Sequence, residues 1–304
     1  MTTRLRASGL LAALVAVGLL TALVSALLVG DARPARQNSG LIAFTRDGDD
    51  GVYIMEADGS CVRLLWRGAR AVTDLAWPPD GSKLAVTTSG RSIWVVNVDG
   101  TDPVRVARVG ASSLSWSADG RRIAFTSKDD IWLMNADGSG MRRLKRTPEL
   151  PEHNVDWSPV GGWLAFDSGG YVPYVYAMRT DGSGLHRVAP QRVEGAQPDS
   201  SPDGRRIAYM RPVGLPDANG IGPQDEEIWV MNASGRSQAR LTKNRLYDGS
   251  PAWSPDGRKI AFVRDRFGTL SASEIYVMNA DGSGAKKLTK GANPAWQPVA
   301  PVED

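Results

Sequence analysis

The stretch Pro251–Phe262, PAWSPDGRKIAF, decides the fold of this chain. It reads as a short strand ending at Trp253, a tight turn over Ser254–Gly257, and a second strand starting at Ile260. Related copies recur at intervals of roughly 40 residues, which indicates a repeat architecture. The other copies are LAWPPDGSKLAV from Leu75, LSWSADGRRIAF from Leu114, VDWSPVGGWLAF from Val155 and PDSSPDGRRIAY from Pro198.

Each copy is followed by a second signature, in which a strand-like run leads into a glycine turn. The last example is EIYVMNADGSG from Glu274, and a short basic and apolar run, Lys286–Thr289, closes that unit. Four strand-like runs in a repeat of roughly 40 residues are typical of a propeller blade. Continuously apolar strands such as Ile260–Phe262 indicate a sheet buried on both faces.

The two ends of the repeat region complement each other. Leu41–Phe44, Val52–Glu56 and Val62–Leu65 supply the second, third and fourth strands of a unit that lacks its first strand. Asn293–Pro298 supplies a first strand at the other end. The sequence therefore predicts an all-β, six-bladed β-propeller over residues 40–298, closed by a clasp of N- and C-terminal strands, with residues 299–304 as a tail.

The repeat block resembles a known family. WSPDG with two basic residues and IAF, followed by EIYVMNADGSG, is similar to the TolB-like (WD40-like) propeller repeat over essentially all of residues 40–298. The resemblance implies a six-bladed propeller that acts as a protein-binding platform in the cell envelope. Similar repeats form the propeller of prolyl oligopeptidase-type enzymes, whose hydrolase domain carries a G-x-S-x-G turn. This sequence contains no G-x-S-x-G, and we expect no peptidase activity.

An uncharged run, Ala7–Gly30, precedes the repeats and is long enough to span a bilayer. We therefore predict one N-terminal transmembrane or signal helix in residues 1–30, followed by a linker over residues 31–39. An uncleaved single-pass membrane anchor is preferred to a cleaved signal, which would give a secreted or periplasmic protein. Both alternatives place residues 40–304 outside the cytoplasm.

Composition limits the chemistry that this chain can perform. Cys61 is the single cysteine, so the chain cannot form an intramolecular disulfide. Two histidines, His153 and His186, give little basis for a zinc site or a histidine-based triad. A formal net charge of +3 gives no indication of a basic surface that would bind nucleic acid. We predict no cofactor.

A polar residue stands three positions before each Trp position, at the start of the strand predicted to be innermost. These residues are expected to ring the mouth of the central channel. One alternative is that they satisfy backbone groups and channel water, and the other is that they form a rim that binds a peptide tail or a small ligand. The residues are Asp74, Ser113, Asn154, Gln197, Ser250 and Asn293.

Loops that vary between the repeats are expected on the same face as this rim, and such loops often carry recognition. The longest are Lys145–Glu152, Arg211–Asp225 and Arg264–Ser273. Basic residues on the variable face favour either an acidic partner or a plain solvated surface. They are Arg67, Arg70, Lys145, Arg146, Lys243, Arg245, Arg264 and Arg266.

Two acidic features give a weak indication of Ca²⁺. Asp156 and Asp199 stand one position before the Trp position in adjacent repeats and could meet in the channel. The run Asp47–Gly51 resembles part of a calcium loop but lacks the full ligand spacing and the distal Glu. Neither feature supplies the six or more oxygen ligands that Ca²⁺ prefers.

The sequence favours a non-enzymatic, membrane-anchored scaffold that binds an envelope protein or a peptide tail through its variable face. The propeller is expected to be monomeric. The alternative is a ligand- or cation-binding sensor, or an enzyme of the lyase or lactonase type, that uses the channel mouth. Metal content distinguishes the two, because the enzymatic route depends on a bound cation.

Overall fold

The computed structural model describes residues 40–68, 70–144, 151–170, 172–189, 194–213, 225–266 and 273–299. Every regular element in these ranges is a β-strand, and the described residues belong to one compact unit. None of the described residues belongs to a helix that could cross a membrane. The predicted N-terminal segment, the linker and residues 300–304 lie outside the described ranges.

The strands pair into antiparallel, four-stranded sheets that follow one another along the chain. Sheet 1 contains β1 (Leu41–Thr45), β2 (Gly51–Glu56) and β3 (Arg63–Arg67), and β24 (Ala292–Trp296) joins it beside β1. Sheet 2 contains β4 (Val72–Ala76), β5 (Lys83–Thr88), β6 (Ser92–Asn97) and β7 (Val104–Ala107). Sheet 3 contains β8 (Ser113–Trp116), β9 (Arg122–Ser127), β10 (Asp130–Asn135) and β11 (Arg142–Arg143).

The second half of the chain repeats this order. Sheet 4 contains β12 (Glu152–Trp157), β13 (Trp163–Ser168), β14 (Tyr174–Arg179) and β15 (His186–Arg187). Sheet 5 contains β16 (Ala196–Ser200), β17 (Arg206–Pro212), β18 (Glu226–Asn232) and β19 (Ala239–Arg240). Sheet 6 contains β20 (Tyr247–Trp253), β21 (Lys259–Asp265), β22 (Glu274–Asn279) and β23 (Lys286–Lys290), and one parallel pair between β18 and β20 links it to sheet 5.

The SPDG turn between the first two strands of a sheet is stabilised by hydrogen bonds within the turn. In sheet 6 the Ser254 hydroxyl donates to Asp256 Oδ1 over 2.6 Å, and the same oxygen accepts the Arg258 N–H at 3.0 Å. Gly257 closes the turn by donating to the Ser254 carbonyl over 2.8 Å, with a φ of 66° that favours glycine. The role of the repeated turn is therefore to connect the first and second strands of a sheet.

Neighbouring sheets pack face to face through apolar residues of their strands. The inner-strand tryptophans are only 6–7% exposed, and the Trp116 indole N–H donates to the Ala76 carbonyl of the preceding sheet at 3.1 Å. Sheet 5 carries Ser200 at this position, and the apolar cluster between sheets 4 and 5 contains no inner-strand tryptophan. The buried tryptophans are Trp77, Trp116, Trp157, Trp253 and Trp296.

The two ends of the repeat region pair with each other. β24 runs antiparallel to β1, with Ile42 opposite Trp296 and Ala43 opposite Ala295. The Gln297 side chain donates to the Gly81 carbonyl at 2.8 Å, which fixes this end against sheet 2. This is the strand pairing that the sequence predicted for the two ends.

Candidate functional site

The first strand of each sheet, together with the turn that follows it, lines a cavity of about 470 Å³. All six polar residues expected at the channel lie on its wall, so the structure brings them together as the repeat frame predicted. Their role in binding remains a prediction. They are Asp74, Ser113, Asn154, Gln197, Ser250 and Asn293.

Side chains of this ring accept hydrogen bonds from the backbone of the next inner strand. The Leu114 N–H donates to Asp74 Oδ2 at 2.7 Å, and the Val155 N–H donates to Ser113 Oγ at 3.1 Å. The Ser250 N–H donates to Gln197 Oε1 at 2.6 Å. The free edge of an inner strand would otherwise leave these donors without a protein partner. Asp74, Ser113 and Gln197 of the ring therefore have a structural role as acceptors for backbone N–H groups. This role does not depend on whether the ring also binds a ligand.

A second layer of caps lies two residues further along the strands. The Trp157 N–H donates to Ser115 Oγ at 2.8 Å. The Ser200 N–H donates to Asp156 Oδ2 at 2.9 Å, and the Trp253 N–H donates to Asp199 Oδ2 at 2.7 Å. The two carboxylates considered for a cation are therefore used as strand caps. Within the described ranges, no group of three or more His, Cys, Asp or Glu residues could hold a metal ion.

Most of the ring residues adopt a left-handed backbone conformation that the sequence analysis did not anticipate. Asn154, Gln197, Ser250 and Asn293 have φ values of 48–52°. The strand register shifts at these positions in sheets 4, 5 and 6, as expected for β-bulges. Gln197, Ser250 and Asn293 each precede a proline, which needs no hydrogen-bond acceptor at a strand edge. That polar-proline dipeptide was the signal available in the sequence.

Three carboxyl groups on the cavity wall, those of Asp74, Asp156 and Asp199, have raised pKa values. Burial raises the pKa of Asp74 to about 7 and that of Asp156 to about 6. Burial and the neighbouring Asp156 carboxylate raise the pKa of Asp199 well above its ordinary value. Each residue is partly exposed to the narrow cavity while protein encloses its other sides. The charges of Asp74 and Asp156 therefore change as the pH approaches neutrality.

Replacing Asp74 by Asn should change how stability depends on pH. The folded-state pKa of Asp74 is raised, so between pH 4 and 7 the folded protein holds a proton that the unfolded chain has released. The wild-type chain therefore loses stability with rising pH across this window, by roughly 2 kcal/mol after allowance for exposure to the cavity. We expect Asp74→Asn to lack this loss in urea unfolding at pH 4 and pH 8. An unchanged difference between the two pH values would contradict the assignment.

Two interpretations of charged residues outside the channel need correction. Arg264 was interpreted as a cation on a variable loop, but it lies in β21 and pairs with the fully buried Asp248 through contacts of 2.7 and 2.8 Å. Asp49, in the run considered as a calcium loop, accepts hydrogen bonds from Tyr53 and from Arg67, the latter at 2.5 Å. The Asp49 carboxylate is thus occupied by side chains of its own sheet.

Most of the variable loops lie outside the described residues. This applies to residues 145–150, which include Lys145 and Arg146, and to residues 214–224 and 267–272. Lys243 and Arg245 are exposed, as the sequence analysis expected. Recognition through these loops remains a prediction.

Sequence comparison finds relatives that share parts of the chain, and no protein-family model matches it. An uncharacterized protein of Agrobacterium fabrum is 26% identical over 66% of this chain and 69% of its own length. The Tol-Pal system protein TolB of Anaeromyxobacter dehalogenans is 34% identical over 31% of this chain and 24% of its own length. The chain thus spans about a quarter of that TolB protein.

Solved structures share the fold over most of the chain. TolB from Acinetobacter baumannii superposes with a TM-score of 0.71 at 20% identity, covering 85% of this chain and 67% of that chain. A putative TolB from Agrobacterium tumefaciens gives 0.66 at 22% identity, covering 85% and 94%. The described residues therefore have the all-β fold of the TolB-like propellers, and the resemblance seen in the repeats is confirmed.

Two further structures show how widely this fold is used. A chain from a nidogen/laminin complex superposes with a TM-score of 0.69 at 14% identity, covering 86% of this chain and 99% of that chain. An oligogalacturonate lyase from Vibrio parahaemolyticus gives 0.51 at 14% identity, covering 75% and 72%. At these identities the likeness concerns the fold, so function has to be argued from the site.

Proposed function

We propose that this chain is a six-bladed, extracytoplasmic propeller that serves as a non-enzymatic protein-binding scaffold in the cell envelope. Sheets 1 to 6 are its blades, and the pairing of β24 with β1 closes the ring. Residues 1–30 anchor it to the membrane as a single-pass segment. The TolB-like repeats and the polar ring around one central cavity support this proposal.

The observation that carries the proposal is the contrast between the two ends of the inner strands. One end leads into the repeated SPDG turns, whose Ser and Asp side chains are bonded within the turn, as in Ser254–Gly257. The other end carries the polar ring, and we expect the variable loops on the same side. A surface that varies on a repeated scaffold is the expected place for a specific partner.

Site-specific photocrosslinking in intact cells tests this assignment. A photoreactive amino acid at Lys243 or Arg245, both exposed near the ring end, should capture a defined protein. The matched control is Arg258, which is exposed on the opposite, SPDG end. We expect a captured band at the first two positions that is absent or at least about fivefold weaker at Arg258. Equal capture at both ends would show that the face was assigned wrongly.

The sensor or lyase alternative rests on the fold shared with oligogalacturonate lyase and on the carboxyls of the cavity. Asp156 and Asp199 already cap backbone donors, which favours a structural role for both. Metal analysis of the purified full chain separates the proposals. A stoichiometric divalent cation that is lost in Asp156→Asn would favour the alternative, because carboxylate oxygens are its natural ligands.

A further inference from the structure

The charges of the six sheets are sorted by distance from the central cavity. The first strands line the cavity, and they contain Asp or Glu in sheets 2, 4, 5 and 6 but no Lys or Arg. The fourth strands lie farthest from the cavity and show the reverse, since each contains Lys or Arg and none contains Asp or Glu. The net charge of +3 does not show this separation.

The fourth strands, β3, β7, β11, β15, β19 and β23, are called the outer rim below. Arg105, Arg187 and Lys290 of this rim are exposed to solvent. The Arg105 guanidinium lies over the Trp94 ring, 5.6 Å from its centre, and the Arg187 guanidinium lies over the Tyr174 ring at 3.8 Å. These rings help to hold the two cations on the rim. Further exposed cations of the rim are Arg63, Arg142 and Lys286.

Carboxylates beside the outer rim offset only part of its charge. The turn before each fourth strand carries polar side chains at the SPDG end, such as Asp281, which accepts the Ser283 N–H at 2.9 Å. Lys290 lies at the opposite end of β23, and the exposed Lys243 and Arg245 follow β19 on that side. Four rim cations form ion pairs with acids of their own sheets, namely Arg67 with Asp49, Arg143 with Asp130, Arg240 with Glu227 and Lys287 with Glu274.

Protection against edge pairing explains why the outer rim is charged, but it does not explain the uniform sign. The fourth strands are sheet edges, and charged side chains there prevent two edges from pairing. Carboxylates could serve that purpose too, yet none of the six strands contains one. The exclusion of acids from every strand of the rim therefore indicates a negatively charged partner.

The distribution of the rim cations favours a flexible chain over a flat surface as that partner. The rim strands belong to consecutive sheets that are arranged around one cavity. A membrane could contact only the part of the rim that faces it, whereas a flexible polymer can follow the rim from sheet to sheet. Arginine binds phosphate groups through two parallel hydrogen bonds, and lysine binds them as a point charge.

We propose that the outer rim binds a linear polymer of phosphate groups. Phosphates of one chain would contact Arg105 on sheet 2, Arg142 on sheet 3 and Arg187 on sheet 4, and counterions would be released as they bind. The affinity would come from many exposed contacts, so it should fall steeply with salt. This inference depends neither on the polar ring nor on the protein-binding proposal, because it concerns the opposite side of every sheet.

Inorganic polyphosphate is a suitable probe for the purified full chain in detergent. With end-labelled polyphosphate, fluorescence anisotropy should show saturable binding that weakens by about 100-fold or more between about 50 and 200 mM NaCl, as expected for five or more phosphate contacts. Orthophosphate at the same total phosphate concentration should not compete. Absence of polyphosphate binding would overturn the proposal. Equally tight binding of polyglutamate, a chain of carboxylates, would overturn the assignment to phosphate.

Two triple variants that remove the same charge decide whether the outer rim is the site. The rim variant should weaken polyphosphate binding by about tenfold or more and make the salt dependence less steep by about two phosphate contacts, because three contacts are lost. The control variant removes three exposed cations from the SPDG turns and should change the affinity by about twofold at most. The rim variant is Arg105→Gln, Arg187→Gln and Lys290→Gln, and the control is Arg121→Gln, Arg205→Gln and Arg258→Gln.

Equal losses in the two triple variants would show that only net charge matters, and would overturn the assignment to the rim. The melting temperature of each variant shows whether it remains folded. Lys286→Gln with Lys290→Gln repeats the test without disturbing the stacked arginines, and should weaken binding by about fivefold. An affinity that is unchanged in this double variant and in the rim triple variant would contradict the proposal.

Discussion

A chain that ends before Asn293 is expected to lose the cooperative unfolding transition of the whole propeller domain. Such a chain lacks most of β24, including Trp296, which packs with Ile42 and Phe44 in the apolar cluster between sheets 6 and 1. It also loses the Ala295 carbonyl that accepts the Trp77 indole N–H at 3.1 Å. β1 would then become an unpaired sheet edge.

The expected size of this effect follows from the buried tryptophan alone. Removing one from a packed core costs about 3–5 kcal/mol, and the loss of strand pairing adds to that. Domains of this kind are stable by about 5–15 kcal/mol, so a fall in melting temperature of more than about 10 °C, or no transition, is expected by calorimetry. A chain ending after Pro298 retains β24 and Gln297, and should melt like the full chain. Equal melting of both truncated chains would contradict closure by β24.

The second large effect is expected for Asp248→Ala. Its carboxylate is completely buried and holds Arg264, whose side chain is only 18% exposed. The Asn244 side chain donates to the same carboxylate at 2.7 Å. Removing one partner of a buried ion pair leaves the other charge without compensation, which costs about 3–5 kcal/mol.

Urea unfolding measures this loss directly, and the chain offers a matched control. Arg67 pairs with Asp49 on the surface, with the Arg67 side chain 54% exposed. Arg67→Ala should therefore lower the free energy of unfolding far less than Asp248→Ala, because solvent screens the exposed pair. If the two substitutions lowered the free energy of unfolding equally, the buried pair would contribute no more than a surface pair.

Repetition explains why so much of the architecture could be predicted from the sequence. The spacing of the SPDG turns places one polar residue per repeat at the same point of each inner strand, and the structure has all of them on one cavity. The boundaries were also close, since the strand predicted over Val62–Leu65 is β3, Arg63–Arg67. In a periodic sequence each repeat predicts the same strands and turns. Where the motif of one repeat is incomplete, the other repeats still show which strand or turn to expect there.

Contacts between sheets could not be predicted from the repeat pattern. The hydrogen bond from Leu114 to Asp74 joins residues in different repeats, and its existence depends on how adjacent sheets are offset. The Asp248–Arg264 pair was missed because Arg264 was assigned to a variable loop and Asp248 was not considered. The two residues lie opposite each other near the ends of paired strands, Asp248 second in β20 and Arg264 next to last in β21, and the sequence alone does not give this register.

The capped inner strands limit how a peptide could be held in the central cavity. A common way to bind an extended peptide is to add it as a new strand to an open sheet edge, where backbone donors and acceptors are free. Here Asp74, Ser113 and Asp199 already occupy backbone donors at that edge, and Pro251 and Pro294 have none to offer. A segment entering the cavity would therefore be recognised through side chains and carbonyl groups, and it would not extend the sheets.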